Sequence, residues 1–341
     1  MNRLAPLLAL SIFCRCWTVF GTVDLIFPTE NELLLTGDLN GFYQPTISKR
    51  AVSGRFGFVR TNGPEPPKYL ERFHEGIDIR PLRRDSNGVP LDPVLVVADG
   101  SVVYVNSVSS RSNYGKYAIV QHSFDGWPVY TFYTHLGEVS VSTGQSLKQG
   151  DRVGILGYTG RGITKGRAHL HFEVTFRIQD DFTTWFEKEG KAKYKQTGTN
   201  HHGDYSGLAF LGVDPTKLLL ASSKGESLSV PEIFKQERVQ FKVRVPSEGR
   251  YWYWQKQFPF MVEGGLEVSP PPAWEISCNR IGIPLYFKRL EKPIKRSELS
   301  WFRPNLSIQE WFTRGLIQGR GGKERLSKWG RKWISQLTWP D

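Results

Sequence analysis

Two histidines, His169 and His171, stand one residue apart in the sequence. Apolar and polar side chains alternate through residues 167–174, which predicts a β-strand with both imidazoles and the carboxylate of Glu173 on one face. Two imidazoles on one strand face can converge on a metal ion or on a reacting atom. Because the chain has seven His, such a pair can also be accidental or purely structural. Its meaning depends on whether other residues complete a site.

A second polar cluster lies at residues 73–79, where the β-branched residues and Gly76 favour extended backbone over a helix. In an extended segment His74 and Asp78 share a face, and Gly76 between them leaves room for close approach of backbone or substrate. His74, Asp78 and one of the two strand histidines therefore make a set of two imidazoles and one carboxylate. Zinc accepts such ligands.

Three protein ligands leave the fourth position of a zinc ion for water, which is the catalytic form of a zinc site. A structural site more often has four ligands, commonly Cys, and the chain contains only three Cys. Water activated by zinc can attack an amide carbonyl at neutral pH. His135 and the strand histidine that is not a ligand are the imidazoles available to handle protons.

The elements around these residues indicate a mainly β protein. The chain of 341 residues contains 34 Gly and 21 Pro, which favours loops and strands over helices. Two Asp-Gly pairs, at 99–100 and 125–126, predict hairpin turns. They join predicted strands at residues 94–97, 101–105, 117–122 and 129–135. Strands this short and this regularly spaced predict an antiparallel β-sheet domain.

The N-terminus has the form of an export signal over residues 1–21. Arg3 precedes an apolar run, and Gly21 stands at a suitable cleavage point, although Arg15 interrupts the pattern. The alternative is a buried N-terminal helix. Export would place the protein in the periplasm, the cell envelope or outside the cell. After signal removal no apolar run is long enough to span a membrane, and Cys278 would be the one remaining thiol, so no internal disulfide is expected.

The remainder divides into three parts. Residues 22–49 are interpreted as a lead-in segment, and residues 50–221 as the main domain, interrupted by an insertion at 177–209. Residues 228–341 form a basic, Trp-rich α+β module that holds most of the net charge of +12. In this module the pattern predicts strands at 238–245 and 251–254 and helices at 308–316 and 326–337.

At this point the chain resembles the M23 metallopeptidases, the zinc-dependent peptidoglycan endopeptidases of the lysostaphin type. The resemblance covers residues 53–220, about half of the chain. Residues 74–78 match the family motif H-x-G-x-D, residues 133–136 match the strand that bears a central His, and residues 169–173 match H-L-H-F-E. The resemblance implies the antiparallel β-sheet fold of lysostaphin-type peptidases, with a smaller α+β region following it.

The resemblance also implies roles for individual residues. His74, Asp78 and His171 correspond to the ligands of one zinc ion per chain, whereas His135 and His169 correspond to the two imidazoles held near the metal without binding it. Which of these two acts as general base stays open. Glu173 is either an outer-shell partner of His171 or a structural carboxylate.

By resemblance the protein is expected to be an exported zinc metalloendopeptidase that cuts peptide cross-links of peptidoglycan. A non-enzymatic wall-binding or regulatory protein on the same scaffold is the alternative, disfavoured because all five residues are present. A third possibility is a metallopeptidase for Gly-rich proteins outside the wall.

The expected partners are peptidoglycan peptides and, through the basic C-terminal module, an anionic wall polymer. Nucleic acid fits the charge but not an export signal. Arg167-Ala168 stand where the family often has Gly-Pro, so the bond that is cut stays open.

Overall fold

The computed structural model of the protein describes residues 22–46, 49–60, 72–190, 199–226, 228–303 and 313–339. The predicted export signal lies outside the described residues, as do residues 191–198 of the insertion and most of the predicted helix at 308–316. Among the helices in the described ranges, none is long and apolar enough to cross a membrane.

The chain is rich in short strands. They are β1 (Val59–Arg60), β2 (Arg72–Phe73), β3 (Ile77–Ile79), β4 (Pro93–Leu95), β5 (Gly100–Asn106), β6 (Lys116–Phe124), β7 (Trp127–Leu136), β8 (Glu138–Val139), β9 (Ser146–Leu147), β10 (Arg152–Ile155), β11 (Leu170–Arg177), β12 (Phe210–Val213), β13 (Phe241–Pro246), β14 (Ala273–Cys278), β15 (Pro284–Leu290), β16 (Glu298–Phe302), β17 (Ile317–Gln318) and β18 (Arg325–Leu326). The α-helices are α1 (Leu39–Phe42), α2 (Phe182–Trp185), α3 (Pro215–Ser223), α4 (Val230–Lys235), α5 (Tyr253–Gln257) and α6 (Lys328–Leu337).

The main domain is built on one antiparallel sheet with the strand order β12-β11-β7-β6-β5-β9. Strand β3 pairs with the beginning of β11, on the same edge that β12 occupies further along. A smaller sheet, β4-β10-β8, accompanies it. The predicted mainly antiparallel β fold is confirmed.

The two Asp-Gly pairs behave differently. Strands β6 and β7 form the predicted hairpin, and its turn residues Asp125 and Gly126 both have positive φ, at 52° and 79°. The hairpin predicted at Asp99-Gly100 is wrong, because β4 pairs with β10 whereas β5 pairs with β6 and β9. The Asp99 carboxylate accepts hydrogen bonds from the backbone of Gln149 and the ammonium of Lys148, so this pair makes a corner between two sheets.

The two faces of the main sheet enter separate apolar cores. One face joins a large core that also contains residues of the lead-in segment and the C-terminal region. The opposite face presents Tyr117, Phe132 and their neighbours to Phe182 and Trp185 of the insertion. His171 and Glu173 lie on this second face of β11, since Leu170, Phe172, Val174 and Phe176 fill the large core. The insertion therefore packs on the face of the sheet that carries the strand histidine.

The C-terminal region forms an antiparallel sheet, β15-β14-β13-β16, with helices beside it, which confirms its predicted α+β class. The helix predicted at 326–337 is present as α6. The strand predicted at 251–254 is wrong, because α5 begins at Tyr253 and Gln255 accepts a hydrogen bond from the Trp252 amide. Four consecutive aromatic residues show no alternation of apolar and polar side chains, so the sequence pattern does not distinguish a strand from a helix here.

The lead-in segment is bonded along the main domain. The amide of Gln44 donates to the carbonyl of Asp78, and Tyr43 forms a β-bridge with Ile79. Nearer the beginning of the segment, the amide of Ile26 donates to the carbonyl of Val97. The contacts of Gln44 and Tyr43 support β3 on the side away from β11. The boundaries of the predicted parts at residues 49 and 221 stay predictions.

Candidate metal centre

The pairing of β3 with β11 places Asp78 directly opposite His171. On its other side β11 pairs with β7, where Thr134 stands opposite His171 and His135 follows. His74 precedes β3, and its backbone exchanges hydrogen bonds with the segment before β1, since the His74 amide donates to Phe58 and its carbonyl accepts from Gly57. Sheet register thus assembles residues that are far apart in the sequence.

Three ligand-type atoms converge in the interior of this arrangement. His74 Nε2 lies 3.0 Å from Asp78 Oδ1 and 3.1 Å from His171 Nδ1. His171 Nδ1 lies 2.9 Å from the same Asp78 oxygen. In the part of the chain that the structure describes, these three buried residues form a cluster suited to one metal ion. The structure brings together all three residues that the sequence predicts as ligands.

The second nitrogen of each imidazole is fixed by an acceptor. His74 Nδ1 donates to the carbonyl of Arg55 at 2.8 Å, so Nε2 is the ring nitrogen that faces Asp78 and His171. His171 Nε2 donates to Glu173 Oε1 at 2.8 Å, so Nδ1 is the ring nitrogen that faces Asp78. Acceptors of this kind typically orient histidines that bind metals. Two imidazole nitrogens and one carboxylate oxygen, each already oriented, fit the ligand preferences of zinc.

The electrostatics of the cluster favour a cation. Burial alone would raise the pKa of Asp78, but the imidazoles of His74, His169 and His171 hold it well below its ordinary value. Burial alone would lower the pKa of His171, but hydrogen bonds to Asp78 and Glu173 raise it to about 10. The surrounding carboxylates therefore stabilise positive charge at the position where the three ligand atoms meet.

The two other predicted site histidines lie beside the cluster. His135 Nδ1 donates to the carbonyl of Thr159 at 2.9 Å, and His169 Nδ1 donates to the carbonyl of Arg167 at 2.7 Å. The ring centroids of His135 and His169 are 4.8 Å apart, and His169 Nε2 is 3.5 Å from Asp78 Oδ1. Both rings thus have Nδ1 protonated and Nε2 free to accept a proton.

Burial keeps these two rings neutral. It lowers the pKa of His135 well below its ordinary value, and the nearby His169 and His171 act in the same direction. Burial also lowers the pKa of His169, although the carboxylate of Asp78 opposes that shift. A neutral imidazole with a free nitrogen can act as a general base.

Tyr114 is a site residue that sequence reasoning missed. Its hydroxyl donates to Glu173 Oε1 at 2.6 Å, and its ring stacks on His171 with centroids 5.8 Å apart. Glu173 thus accepts hydrogen bonds from both Tyr114 and His171. It orients the imidazole of His171, which agrees with its interpretation as an outer-shell partner of that histidine. Tyr114 lies in a loop before β6, where no local period marks it.

The residues His201, His202 and Asp204 of the insertion also have ligand-type side chains, and the structure gives His202 and Asp204 other partners. His202 Nδ1 lies 2.9 Å from the hydroxyl of Tyr104. Asp204 Oδ1 accepts hydrogen bonds from the amide and the hydroxyl of Thr183. The His202 bond ties the insertion to β5, whereas the Asp204 bonds lie within the insertion. Among the described residues, the metal cluster consists of His74, Asp78 and His171 and includes none of these three side chains.

Gly76 is the point where the segment of His74 and Asp78 touches β11. A Cβ at this position would lie 2.4 Å from the carbonyl oxygen of Phe172 and 3.0 Å from Cε1 of His171. Of the two possibilities that the sequence left for the room at Gly76, backbone or substrate, the backbone of β11 is the one that approaches closely.

We expect Gly76→Ala to destabilise the fold by roughly 1–3 kcal/mol and to weaken zinc binding, because the added methyl group must push β11 away. Gly166→Ala is the matched control, since a Cβ there meets nothing within 4 Å. Its effect should stay within about 0.5 kcal/mol. Urea unfolding and zinc titration of both variants check this, and equal behaviour of the two would contradict it.

Comparison with known proteins agrees with this geometry. Residues 72–182 match the model of peptidase family M23. The cell division protein DipM of Caulobacter vibrioides is 39% identical over 149 residues, which are 44% of this chain and 20% of that protein. The peptidoglycan DD-endopeptidase ShyA of Vibrio cholerae is 36% identical over 85 residues, 25% of this chain and 18% of that protein.

The murein hydrolase activator NlpD of Salmonella typhimurium is 28% identical over 140 residues, 39% of this chain and 32% of that protein. The chain spans about a fifth of the length of DipM and ShyA and about a third of NlpD. The similarity thus covers only a part of each of these proteins. Residues 72–182 of the chain are therefore similar to the domain of peptidase family M23.

Proposed function

We propose that the protein is an exported zinc metalloendopeptidase that hydrolyses peptide cross-links of bacterial peptidoglycan. The observation that carries the proposal is the convergence of His74 Nε2, Asp78 Oδ1 and His171 Nδ1, with the two neutral imidazoles beside them. The name of ShyA supports a peptidoglycan peptide as the substrate.

In this proposal His74, Asp78 and His171 hold one zinc ion. When bound, zinc supplies a Lewis acid that lowers the pKa of water and polarises an amide carbonyl. The free Nε2 of His135 or His169 accepts a proton from the attacking water, and the resulting imidazolium returns it to the leaving amine. The backbone carbonyls of Thr159 and Arg167 hold both rings in the tautomer that this transfer needs.

The alternative is a non-enzymatic protein that binds or regulates, because NlpD is named as an activator of murein hydrolases. Wall binding or activation alone does not require two oriented ligand histidines and two further buried neutral imidazoles at one carboxylate. The retention of all five residues therefore favours catalysis.

Export and a location in the cell envelope belong to the same proposal, since ShyA and NlpD are named for peptidoglycan and murein. Binding of an anionic wall polymer by the basic C-terminal region stays a prediction. Several of the basic side chains there already have carboxylate partners, as Lys242 and Arg244 do with Glu275.

The experiment that tests the proposal is digestion of purified sacculi, with the released muropeptides identified by mass spectrometry. We expect peptide-bond cleavage that stops with a chelator and returns with added zinc, and the fragment masses would identify the bond that is cut. A parallel assay adds a separate murein hydrolase. If the protein accelerates that hydrolase but releases no peptide-cleaved fragments on its own, the activator role is correct and the endopeptidase role is wrong.

A further inference from the structure

Two arginines of the C-terminal region reach the residues on either side of His74. The guanidinium of Arg280 lies 4.7 Å from the centre of the Phe73 ring and donates to the carbonyl of Gly57. Arg314 Nη2 lies 2.6 Å from Glu75 Oε1. Phe73 and Glu75 are the chain neighbours of His74, so the C-terminal region contacts this segment immediately before and immediately after His74.

Both contacts belong to defined structure. Arg314 is only 8% exposed, has a positive φ of 53°, and lies just before β17. Gly57 also has a positive φ, and a Cβ there would lie 2.7 Å from Nη2 of Arg280. The amide of Gly57 donates a hydrogen bond to the carbonyl of His74, and the carbonyl of Gly57 accepts one from Arg280. Arg280 therefore contacts the same residue that hydrogen-bonds the backbone of His74.

Besides the hydrogen bonds of His74 to Arg55, Gly57 and Phe58, the strand that leads to His74 has little support of its own. Strand β2 ends one residue before His74 and pairs with β1 at only two positions. A two-stranded ribbon this short is not stable by itself in water. The remaining ligands, by contrast, lie on β3 and β11, which pair within the main sheet. His74 is thus the ligand with the greatest need for support from elsewhere in the fold.

We propose that the C-terminal region positions His74 for metal binding through Arg280 and Arg314, so that its docking sets the affinity of the metal site. The inference rests on the proposed function, because it assumes that zinc binds at His74, Asp78 and His171. It gives the basic C-terminal region a role inside the molecule. Arg280 and Arg314 act through Phe73, Gly57 and Glu75 and are positioning residues.

The test is the zinc affinity of the full-length protein, measured by competition with a chromophoric chelator. Loss of partners outside the ligand shell typically costs 10–100-fold in metal affinity, and we expect about 10-fold weaker binding for Arg314→Ala and for Arg280→Ala. Lys332→Ala is the matched control. Lys332 of α6 pairs with Glu189 at 2.8 Å, which also ties the C-terminal region to the main domain but does not touch the His74 segment. Its zinc affinity should stay within about twofold of wild type.

Two further variants separate positioning from general stability. If Arg314 acts through Glu75, then Glu75→Gln combined with Arg314→Ala should weaken zinc binding no more than either change alone. Arg314→Lys keeps the charge without the planar donor pair and should recover part of the affinity. Should Arg314→Ala not fold, Glu75→Gln and Arg314→Lys still give the comparison with Lys332→Ala.

Unchanged affinity in the Arg314 and Arg280 variants would overturn the inference, as would an equal loss in Lys332→Ala, which would show only that docking stabilises the fold. Wild-type protein that binds no zinc would instead overturn the proposed function, and this inference with it.

Discussion

His171→Ala and Asp78→Ala are each expected to abolish zinc binding and, with it, hydrolysis of peptidoglycan. Either change removes one of three ligand-type atoms that lie within 4.8 Å of one another. Because loss of an outer-shell partner alone typically costs 10–100-fold in metal affinity, loss of a ligand should cost more than about 100-fold. Elemental analysis of the purified variants and muropeptide release from sacculi check the two effects separately.

Asp78→Asn sharpens this test, because it keeps the shape of the side chain and removes its charge. The low pKa of Asp78 means that it is a carboxylate throughout the working pH range, so the amide should also lose zinc. His201→Ala is the control, since that side chain is exposed on the insertion, and it should retain both zinc and activity. Undiminished hydrolysis by His171→Ala or Asp78→Ala would show that the ligand set is misassigned.

The parts of this site that could be predicted from the sequence are those with local spacing. Alternation along 167–174 indicated the strand, and His74 and Asp78 are near enough in sequence to be recognised as a pair. The spacing of His169 and His171 did not predict which of the two faces Asp78. The structure brings His171 opposite Asp78 through the register of β3 on β11, and only the family resemblance had indicated this choice.

Side-chain partners from distant parts of the chain could not be predicted. Tyr114 bonds Glu173 across 59 residues, and Arg280 bonds Gly57 across 223. Such contacts depend on how sheets pack and leave no period in the sequence. The failed hairpin at Asp99-Gly100 has a related cause. An Asp-Gly pair indicates a tight turn. The sheets that the two flanking strands join decide whether these strands pair with each other.

His135 should be needed for catalysis and not for metal binding. His135→Asn is the better variant than His135→Ala, because residue 135 has a positive φ of 62° and Asn tolerates that conformation. We expect normal zinc content and a fall in kcat of about 10²–10⁴-fold, the usual contribution of a general acid–base group. The same change at His169 provides the comparison, and the histidine whose loss lowers kcat further is the main base. Loss of zinc from His135→Asn would mean that His135 is itself a ligand.

The pH profile gives an independent check on the same residue. Because burial lowers the pKa of His135 well below 6.5, the imidazole stays neutral and able to accept a proton as the pH falls through 6.5. A nearby bound cation would lower that pKa further. The acidic limb of kcat/KM should therefore lie below pH 6.5 while zinc content, measured at each pH, stays constant. A limb at or above pH 6.5 with zinc retained would show that the proton acceptor is a solvated group, and it would remove His135 from the role that its burial beside the metal cluster implies.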